Sequence, residues 1–111
     1  MNVVTEDALI EITKAIVDAV NPMKIILFGS YARGDARPNS DLDFLVVEEE
    51  PFSATRSRRK EIGNIYRKLL NYDMPVDILL YSKNEFDKWK DGINHVIARA
   101  HREGRIVYER N

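Results

Sequence analysis

The sequence predicts an α/β domain in which a small β-sheet is covered by helices. Two short runs rich in branched apolar residues, 24–28 and 42–47, are typical of buried strands. Segments before and after these runs carry apolar residues at helical spacing. Because helices and strands alternate along all 111 residues with no linker or repeat, we expect a single domain over residues 1–111.

The first half of the chain is predicted to run from a helix into two strands. Thr5 suits an N-cap, and the apolar spacing that follows predicts a helix that Asn21 and Pro22 end. The first strand then stops at Gly29. The second strand gives way to a polar stretch that Glu48 opens, and this stretch leads into the next helix.

The second half is predicted to hold two more strands and further helices. A strand over 76–81 is followed by Ser82 and Glu85, whose spacing is a capping-box signature for the next helix. Gly92 interrupts that helix, and residues 105–108 form a short last strand. The apolar residues expected on the inner faces of these helices are Ile62, Ile65, Tyr66, Leu69, Leu70, Phe86, Trp89, Ile93, Val96, Ile97 and Ala100.

Composition excludes several classes of function. The 17 basic and 18 acidic residues nearly balance, so no strong positive field would gather long nucleic acid. Without cysteine the chain can form neither a disulfide framework nor a thiolate metal site. No apolar run approaches the ~18 residues of a membrane span, and the amino terminus lacks a signal-peptide pattern. We therefore expect a cytoplasmic protein without a membrane partner.

The loop between the first two strands is richer in polar residues than a chain reversal needs. It reads GSYARGDARPNSD, and Gly29 and Ser30 stand where the first strand would meet a helix. Backbone amides freed at such a turn can bind a phosphate, although the pair alone would also fit a simple tight turn. The spacing of Gly29 and Gly34 resembles the start of a P-loop. Asp35 and Ala36 replace the lysine and the hydroxyl residue that a P-loop requires, so that motif is excluded.

Three aspartates supply the second half of the candidate site. Asp41 and Asp43 stand two residues apart at the start of a strand, where alternation sends both carboxylates to one face. Such carboxylates repel each other unless a cation lies between them, and hard oxygen ligands suit Mg²⁺. Asp77 completes the site if its strand is a neighbour, and the alternative is a polar residue that only ends a strand. Carboxylates beside a phosphate-binding turn predict two-metal phosphoryl or nucleotidyl transfer.

These motifs resemble the polymerase-β-type nucleotidyltransferase superfamily. The resemblance rests on three motifs in order, which are Gly29-Ser30, Asp41-Leu42-Asp43 after ten intervening residues, and Val76-Asp77-Ile78. The run GSYARGDARPNSDLD in so short a chain is similar in particular to the minimal nucleotidyltransferases (MNT), the antitoxin half of HEPN/MNT toxin-antitoxin systems. This resemblance implies the nucleotidyltransferase fold, with a small mixed sheet flanked by helices.

The resemblance also implies an activity, a partner and roles for the site residues. The activity is transfer of AMP from Mg²⁺-bound ATP to a tyrosine hydroxyl of a cognate HEPN toxin, which silences the toxin within a hetero-oligomer. By position, Gly29 and Ser30 bind the triphosphate, and the two aspartates of the second strand hold two Mg²⁺ ions. Asp77 ligates the catalytic metal or helps to deprotonate the acceptor. Arg33 either contacts phosphate or braces the loop.

Two other functions remain open on the sequence. One is adenylyl transfer to a small molecule such as an aminoglycoside, which usually needs additional helices or a dimer to build the acceptor pocket. The other is an antitoxin that neutralises its toxin by binding alone. Mass spectrometry of the toxin separates transfer to the HEPN toxin from both alternatives, because only that transfer adds AMP to the toxin.

The remaining polar groups have simpler interpretations. His95 and His101, both placed in the last helix, lack the spacing of a metal site. The basic run over 56–60 is typical of a solvated helix face. Ser40 is expected to cap the loop, and residues 35–39 are expected only to connect the turn to the second strand.

Overall fold

The computed structural model describes residues 5–37 and 39–110, which form five helices and four strands. In chain order these elements are α1 (Glu6–Val20), β1 (Lys24–Phe28), α2 (Ser30–Arg33), β2 (Leu42–Glu48), α3 (Arg58–Lys68), β3 (Val76–Ser82), α4 (Lys83–Trp89), α5 (Val96–Glu103) and β4 (Arg105–Glu109). All four predicted strands are present with closely similar bounds. In this described part of the chain, no helix has the length and apolar character needed to cross a membrane.

The four strands form one mixed sheet in the order β3-β2-β1-β4. Strand β1 is antiparallel to both β2 and β4, whereas β2 and β3 run parallel. Helix α3 lies in the crossover between the two parallel strands, because a tight turn can join only antiparallel strands. This mixed sheet with flanking helices confirms the predicted fold class.

Apolar side chains are buried on both faces of the sheet. One face, which includes Leu27 and Phe44, packs against α1 and α3. The opposite face, which includes Leu45, packs against α4 and α5. The central strands are therefore apolar on both sides rather than alternating. Leu42 lies in the same cluster as Phe44, as predicted, and this leaves Asp43 pointing to the opposite face at the end of the sheet.

Local capping signals begin and end the helices where the sequence predicts. The Thr5 side chain accepts a hydrogen bond from the amide of Ala8 at 3.1 Å and so caps α1. Asn21 ends α1 in the left-handed conformation, with φ of 47°. Ser82 and Glu85 form the predicted capping box at the start of α4, with hydrogen bonds of 2.8 and 3.3 Å.

Four apolar side chains expected in the core are exposed instead, and these are Tyr66, Leu70, Trp89 and Ile93. Leu70 follows the end of α3, and Ile93 precedes the start of α5, so neither belongs to a helical stripe. Trp89 stacks on the ring of His95 at the surface, with 4.7 Å between ring centroids. The apolar spacing in the sequence thus predicts longer helical stripes than the fold uses.

Three polar predictions are also corrected. Glu48, expected to open a polar stretch, is the last residue of β2 and is only 4% exposed. The basic run is not simply solvated, because Arg56 donates to Glu48 at 2.8 Å and Arg58 donates to Glu85 at 2.6 Å. His95 lies at the N-cap of α5, where its Nδ1 atom accepts a backbone hydrogen bond, rather than inside the helix.

Candidate functional site

The candidate site begins at the turn where β1 meets α2. Gly29 is the N-cap of α2 and has φ of +75°, in the region that favours glycine. Its carbonyl accepts hydrogen bonds from the amides of Ala32 and Arg33, both at 3.1 Å. The Ser30 carbonyl accepts from the amide of Gly34 at 3.0 Å. The backbone therefore fixes this turn, and the first amides of α2 have no partner within the helix.

The carboxylate of Asp43 lies directly against Gly29. The two residues come together because Phe28 pairs with Asp43 across the antiparallel strands β1 and β2. A Cβ atom on Gly29 would overlap the Oδ2 atom of Asp43 and would lie 3.2 Å from its Cγ atom. The missing side chain is therefore what allows the carboxylate to approach the turn at Gly29.

The fold brings the three predicted aspartates to one end of the sheet. Asp43 and Asp77 are direct partners in the parallel register of β2 and β3, so their side chains stand on the same face. The sequence left this neighbour relation open, and the structure establishes it. Asp41 is exposed and immediately precedes β2.

The electrostatics of this end of the sheet follow from burial and charge. Partial burial raises the pKa of Asp43, and the negative charges of Asp77 and Asp41 raise it further. The positive charge of Arg33 acts in the opposite direction. A cation among the carboxylates would relieve both the repulsion and the cost of burying a charge.

The chemistry of the three aspartates suits a hard cation. Asp41, Asp43 and Asp77 each offer carboxylate oxygens, which are the ligands that Mg²⁺ prefers. Among residues 5–37 and 39–110, no three acidic or imidazole side chains already converge at metal-binding spacing. A bound cation would therefore have to draw the carboxylates of Asp41 and Asp77 towards that of Asp43.

The loop between α2 and β2 is held by its own side chains. Arg33 Nε donates to Asp35 Oδ2 at 3.3 Å, and both side chains are exposed. The Ser40 hydroxyl accepts from the amide of Arg37 at 2.8 Å, which agrees with its predicted capping role. Arg33 thus pairs with Asp35 in the loop, and its positive charge lowers the pKa of Asp43. Pro38 lies outside the described residues.

Two contacts that sequence reasoning missed support the strand of Asp77. The hydroxyl of Tyr66 accepts a hydrogen bond from the amide of Ile78 at 3.0 Å. Further along, Arg58 Nη1 donates to the carbonyl of Leu80 at 2.9 Å. Side chains of α3 therefore satisfy backbone groups of β3, which is an edge strand of the sheet. No local pattern signals such contacts, because they depend on how the crossover helix packs.

Comparison with known proteins reveals sequence relatives over most of the chain. The profile of a family described as "Nucleotidyltransferase domain" matches residues 8–107. The chain is 34% identical over 104 residues to the "Putative protein adenylyltransferase MJ0604" of Methanocaldococcus jannaschii, which covers 86% of this chain and 96% of the relative. It is 38% identical over 60 residues to "Putative protein adenylyltransferase MJ0141" of the same organism, and this match covers 54% of this chain and 60% of the relative.

Solved structures with the same fold are more distant in sequence. One is a nucleotidyltransferase of Sulfolobus solfataricus, also described as putative, with a TM-score of 0.58 and 19% identity over 92% of this chain and 78% of the other. Another is described as a "toxin-antitoxin with AMP-PNP". It has a TM-score of 0.58 and 22% identity, and the match covers 90% of this chain and 72% of the other. At these identities the similarity supports the fold alone.

Proposed function

The chain belongs to the nucleotidyltransferase domain family, and from that premise we propose that it transfers AMP from Mg²⁺-bound ATP to a tyrosine hydroxyl of a cognate HEPN toxin. Modification would silence the toxin, so that the protein acts as its antitoxin. The observation that carries this proposal is the pairing of Asp43 with Asp77 beside the turn at Gly29. This pairing puts candidate metal ligands next to a candidate phosphate site.

Each site residue has a role in the proposed reaction. Asp41 and Asp43 would hold two Mg²⁺ ions, which when bound supply charge neutralisation for the triphosphate and a more acidic acceptor hydroxyl. The turn at Gly29 and Ser30 would bind the triphosphate through backbone amides. Arg33 lies on the same turn and adds positive charge there.

Asp77 would complete the metal site and act on the acceptor side of the reaction. It is the more exposed partner of the strand pair, so a hydroxyl presented by another protein can reach it. The acceptor oxygen would form a bond to the α-phosphorus, and the bond from that phosphorus to the oxygen bridging to the β-phosphate would break. Pyrophosphate would leave, and the hydroxyl proton would pass to the carboxylate of Asp77.

The identity of donor and acceptor draws support from the relatives. Two sequence relatives carry names as protein adenylyltransferases, and a structural relative is a toxin-antitoxin with AMP-PNP. A tyrosine acceptor on a HEPN toxin follows from the family resemblance of the motif GSYARGDARPNSDLD.

Intact-protein mass spectrometry tests the proposal. The chain is incubated with its candidate toxin, ATP and Mg²⁺, and transfer should add ~329 Da to the toxin for each AMP. Fragmentation of the product then identifies the modified residue. Asp43→Asn should abolish the mass gain, because it removes a charge that no other group at that position replaces.

Asp73→Asn is the matched control, since Asp73 is an exposed aspartate in the turn before β3 and outside the proposed site. It should leave transfer unchanged. A toxin that gains no mass yet is inhibited by stoichiometric binding would contradict the transfer proposal and favour neutralisation by binding. Full transfer by Asp43→Asn would contradict the assigned metal ligand.

A further inference from the structure

The outer side of α3 carries a set of residues that the core does not use. Four of them stand three or four positions apart and so share one side of the helix, and these are Arg59, Gly63, Tyr66 and Arg67. Leu70 follows in the turn after α3, where its amide donates to the carbonyl of Arg67 at 3.4 Å. Tyr66 and Leu70 are 38% and 78% exposed. These five residues form a surface that we call the α3 face.

The α3 face lies beside the acceptor side of the candidate site. Because α3 connects the parallel strands β2 and β3, it runs against their direction, and its C-terminal end lies where β3 begins. The hydroxyl of Tyr66 accepts a hydrogen bond at 3.0 Å from the amide of Ile78, the residue directly after Asp77. A protein that covers Tyr66 and Leu70 is therefore held close to Asp77, which the proposed reaction assigns to the acceptor.

Gly63 has no role within the chain that requires a glycine. It lies inside α3 and is not among the glycines with positive φ. Apart from the backbone of the helix itself, the nearest described atom to a Cβ on Gly63 would be Arg67 Nη1, at an ordinary contact distance of 3.6 Å. Glycine inside a helix is less stable than alanine, and one of its uses is to let another molecule approach the backbone closely. Gly63 therefore favours a partner that packs against α3.

The charge on α3 indicates what kind of partner fits. Its exposed charged side chains are all cations, and these are Arg59, Lys60, Arg67 and Lys68. Among residues 5–37 and 39–110, none of the four forms an ion pair, and Arg67 donates to the side-chain oxygen of Asn64. Two copies that met through this same face would bring cations against cations. An acidic surface of a different protein, with an apolar side chain at its centre, is complementary to it.

We propose that the α3 face is where the acceptor protein docks, through an apolar side chain that acidic residues flank. The apolar side chain packs on Gly63, Tyr66 and Leu70, and the flanking carboxylates pair with Arg59 and Arg67. This inference rests on the proposed function, because that function supplies a protein acceptor. The acceptor is then bound by a surface separate from the turn and the carboxylates that take the nucleotide.

Calorimetric titration of the full chain with the candidate toxin, in the absence of ATP, tests docking without transfer. Leu70→Ser should raise the dissociation constant roughly tenfold, because it removes a large apolar contact. Arg67→Glu should raise it by a similar factor, because it places a negative charge against an acidic surface. Ile93→Ser is the matched control, since Ile93 is 84% exposed and precedes α5. It should leave the dissociation constant unchanged.

Gly63→Ala separates docking from folding. It should raise the urea midpoint of the chain alone, because alanine favours a helix and its methyl group has room. It should nevertheless raise the dissociation constant for the toxin several-fold, because the methyl group stands where the acceptor packs. A general loss of structure would not give these opposite effects. Circular dichroism confirms that Leu70→Ser and Arg67→Glu are folded.

Transfer kinetics distinguish docking from the reaction itself. With ATP and Mg²⁺ present, Leu70→Ser should raise KM for the toxin and leave kcat and KM for ATP unchanged. A toxin that binds through the α3 face yet gains no AMP would contradict the reaction and support the docking surface. The docking proposal would be overturned by a wild-type chain that does not bind the toxin, or by Leu70→Ser and Gly63→Ala variants that bind and modify it as the wild type does. A Leu70→Ser variant that loses only self-association would overturn it equally, because a second copy would then cover this face.

Discussion

Burial of Glu48 makes the stability of this protein depend on pH. Glu48 ends β2, and its Oε1 atom accepts from Arg56 at 2.8 Å. In the described part of the chain its Oε2 atom is buried without a hydrogen-bond partner. Burial raises the pKa of Glu48 from 4.5 to about 7, and the neighbouring Glu61 carboxylate adds to the rise, while Arg56 opposes it. A proton held between Glu48 and Glu61 would satisfy the buried oxygen.

The direction of the pH effect follows from linkage. Because the folded state binds this proton more tightly than the unfolded state, its contribution to stability is full below about pH 4.5. It is lost as the pH rises towards about 7 and is constant above that. A rise of this size corresponds to roughly 3 kcal/mol in the free energy of unfolding.

Glu48→Gln should remove most of this dependence. The glutamine amide can donate to Glu61 and accept from Arg56 at any pH, so it mimics the protonated acid. Urea unfolding at pH 4.5, 5, 6, 7 and 8 measures the effect. We expect the variant to match the wild type near pH 4.5 and to exceed it by roughly 2–3 kcal/mol at pH 8. Glu49→Gln is the control, since Glu49 is exposed beside it and should keep the wild-type slope.

Equal pH slopes for Glu48→Gln and the wild type between pH 5 and 7 would refute the reasoning. Some slope should remain in the variant, because the pKa of Asp43 is also raised. A variant less stable than the wild type at pH 8 would show instead that Glu48 stabilises the fold as a charged partner of Arg56.

Two further predictions concern the site. Gly29→Ala should lower the free energy of unfolding by roughly 2–3 kcal/mol in urea titrations, since its Cβ meets Asp43. Gly34→Ala is the matched control for positive φ, with open space around it, and an equal loss would contradict the overlap. Tyr66→Phe removes the acceptor for the Ile78 amide and should cost about 1 kcal/mol. Tyr72→Phe, which loses only a 3.5 Å contact, should cost less, and the reverse order would contradict this role.

Most of the fold could be predicted from the sequence because its signals are local. The apolar runs of β1 and β2, the caps at Thr5 and Asn21 and the capping box at Ser82 each act within a few residues. The wrong predictions concern side chains whose burial depends on tertiary contacts. Ile93 continues the apolar spacing of α5, yet it precedes the helix, and nothing in its neighbours in sequence marks it as exposed.

Glu48 shows the same limit for a single side chain. It precedes two further glutamates and a proline, so its sequence context predicts a surface, although the six residues before it are buried or half-buried. It is buried because α3 and the loop before it bring Arg56 and Glu61 over the end of β2. The burial of an acidic residue thus depended on partners eight and thirteen positions away, which no periodicity encodes.

Part of the candidate site could likewise be predicted from local spacing, and part of it depends on tertiary structure. The turn at Gly29 and the pair Asp41 and Asp43 are readable from spacing, because they lie on one hairpin of β1 and β2. Asp77 is not, since a slip of one residue between parallel strands would turn its side chain to the opposite face. The pairing of β2 with β3 over seven residues sets this register, and the contact of Tyr66 with Ile78 supports the outer strand from α3. The third carboxylate is therefore placed by strand pairing rather than by the motif.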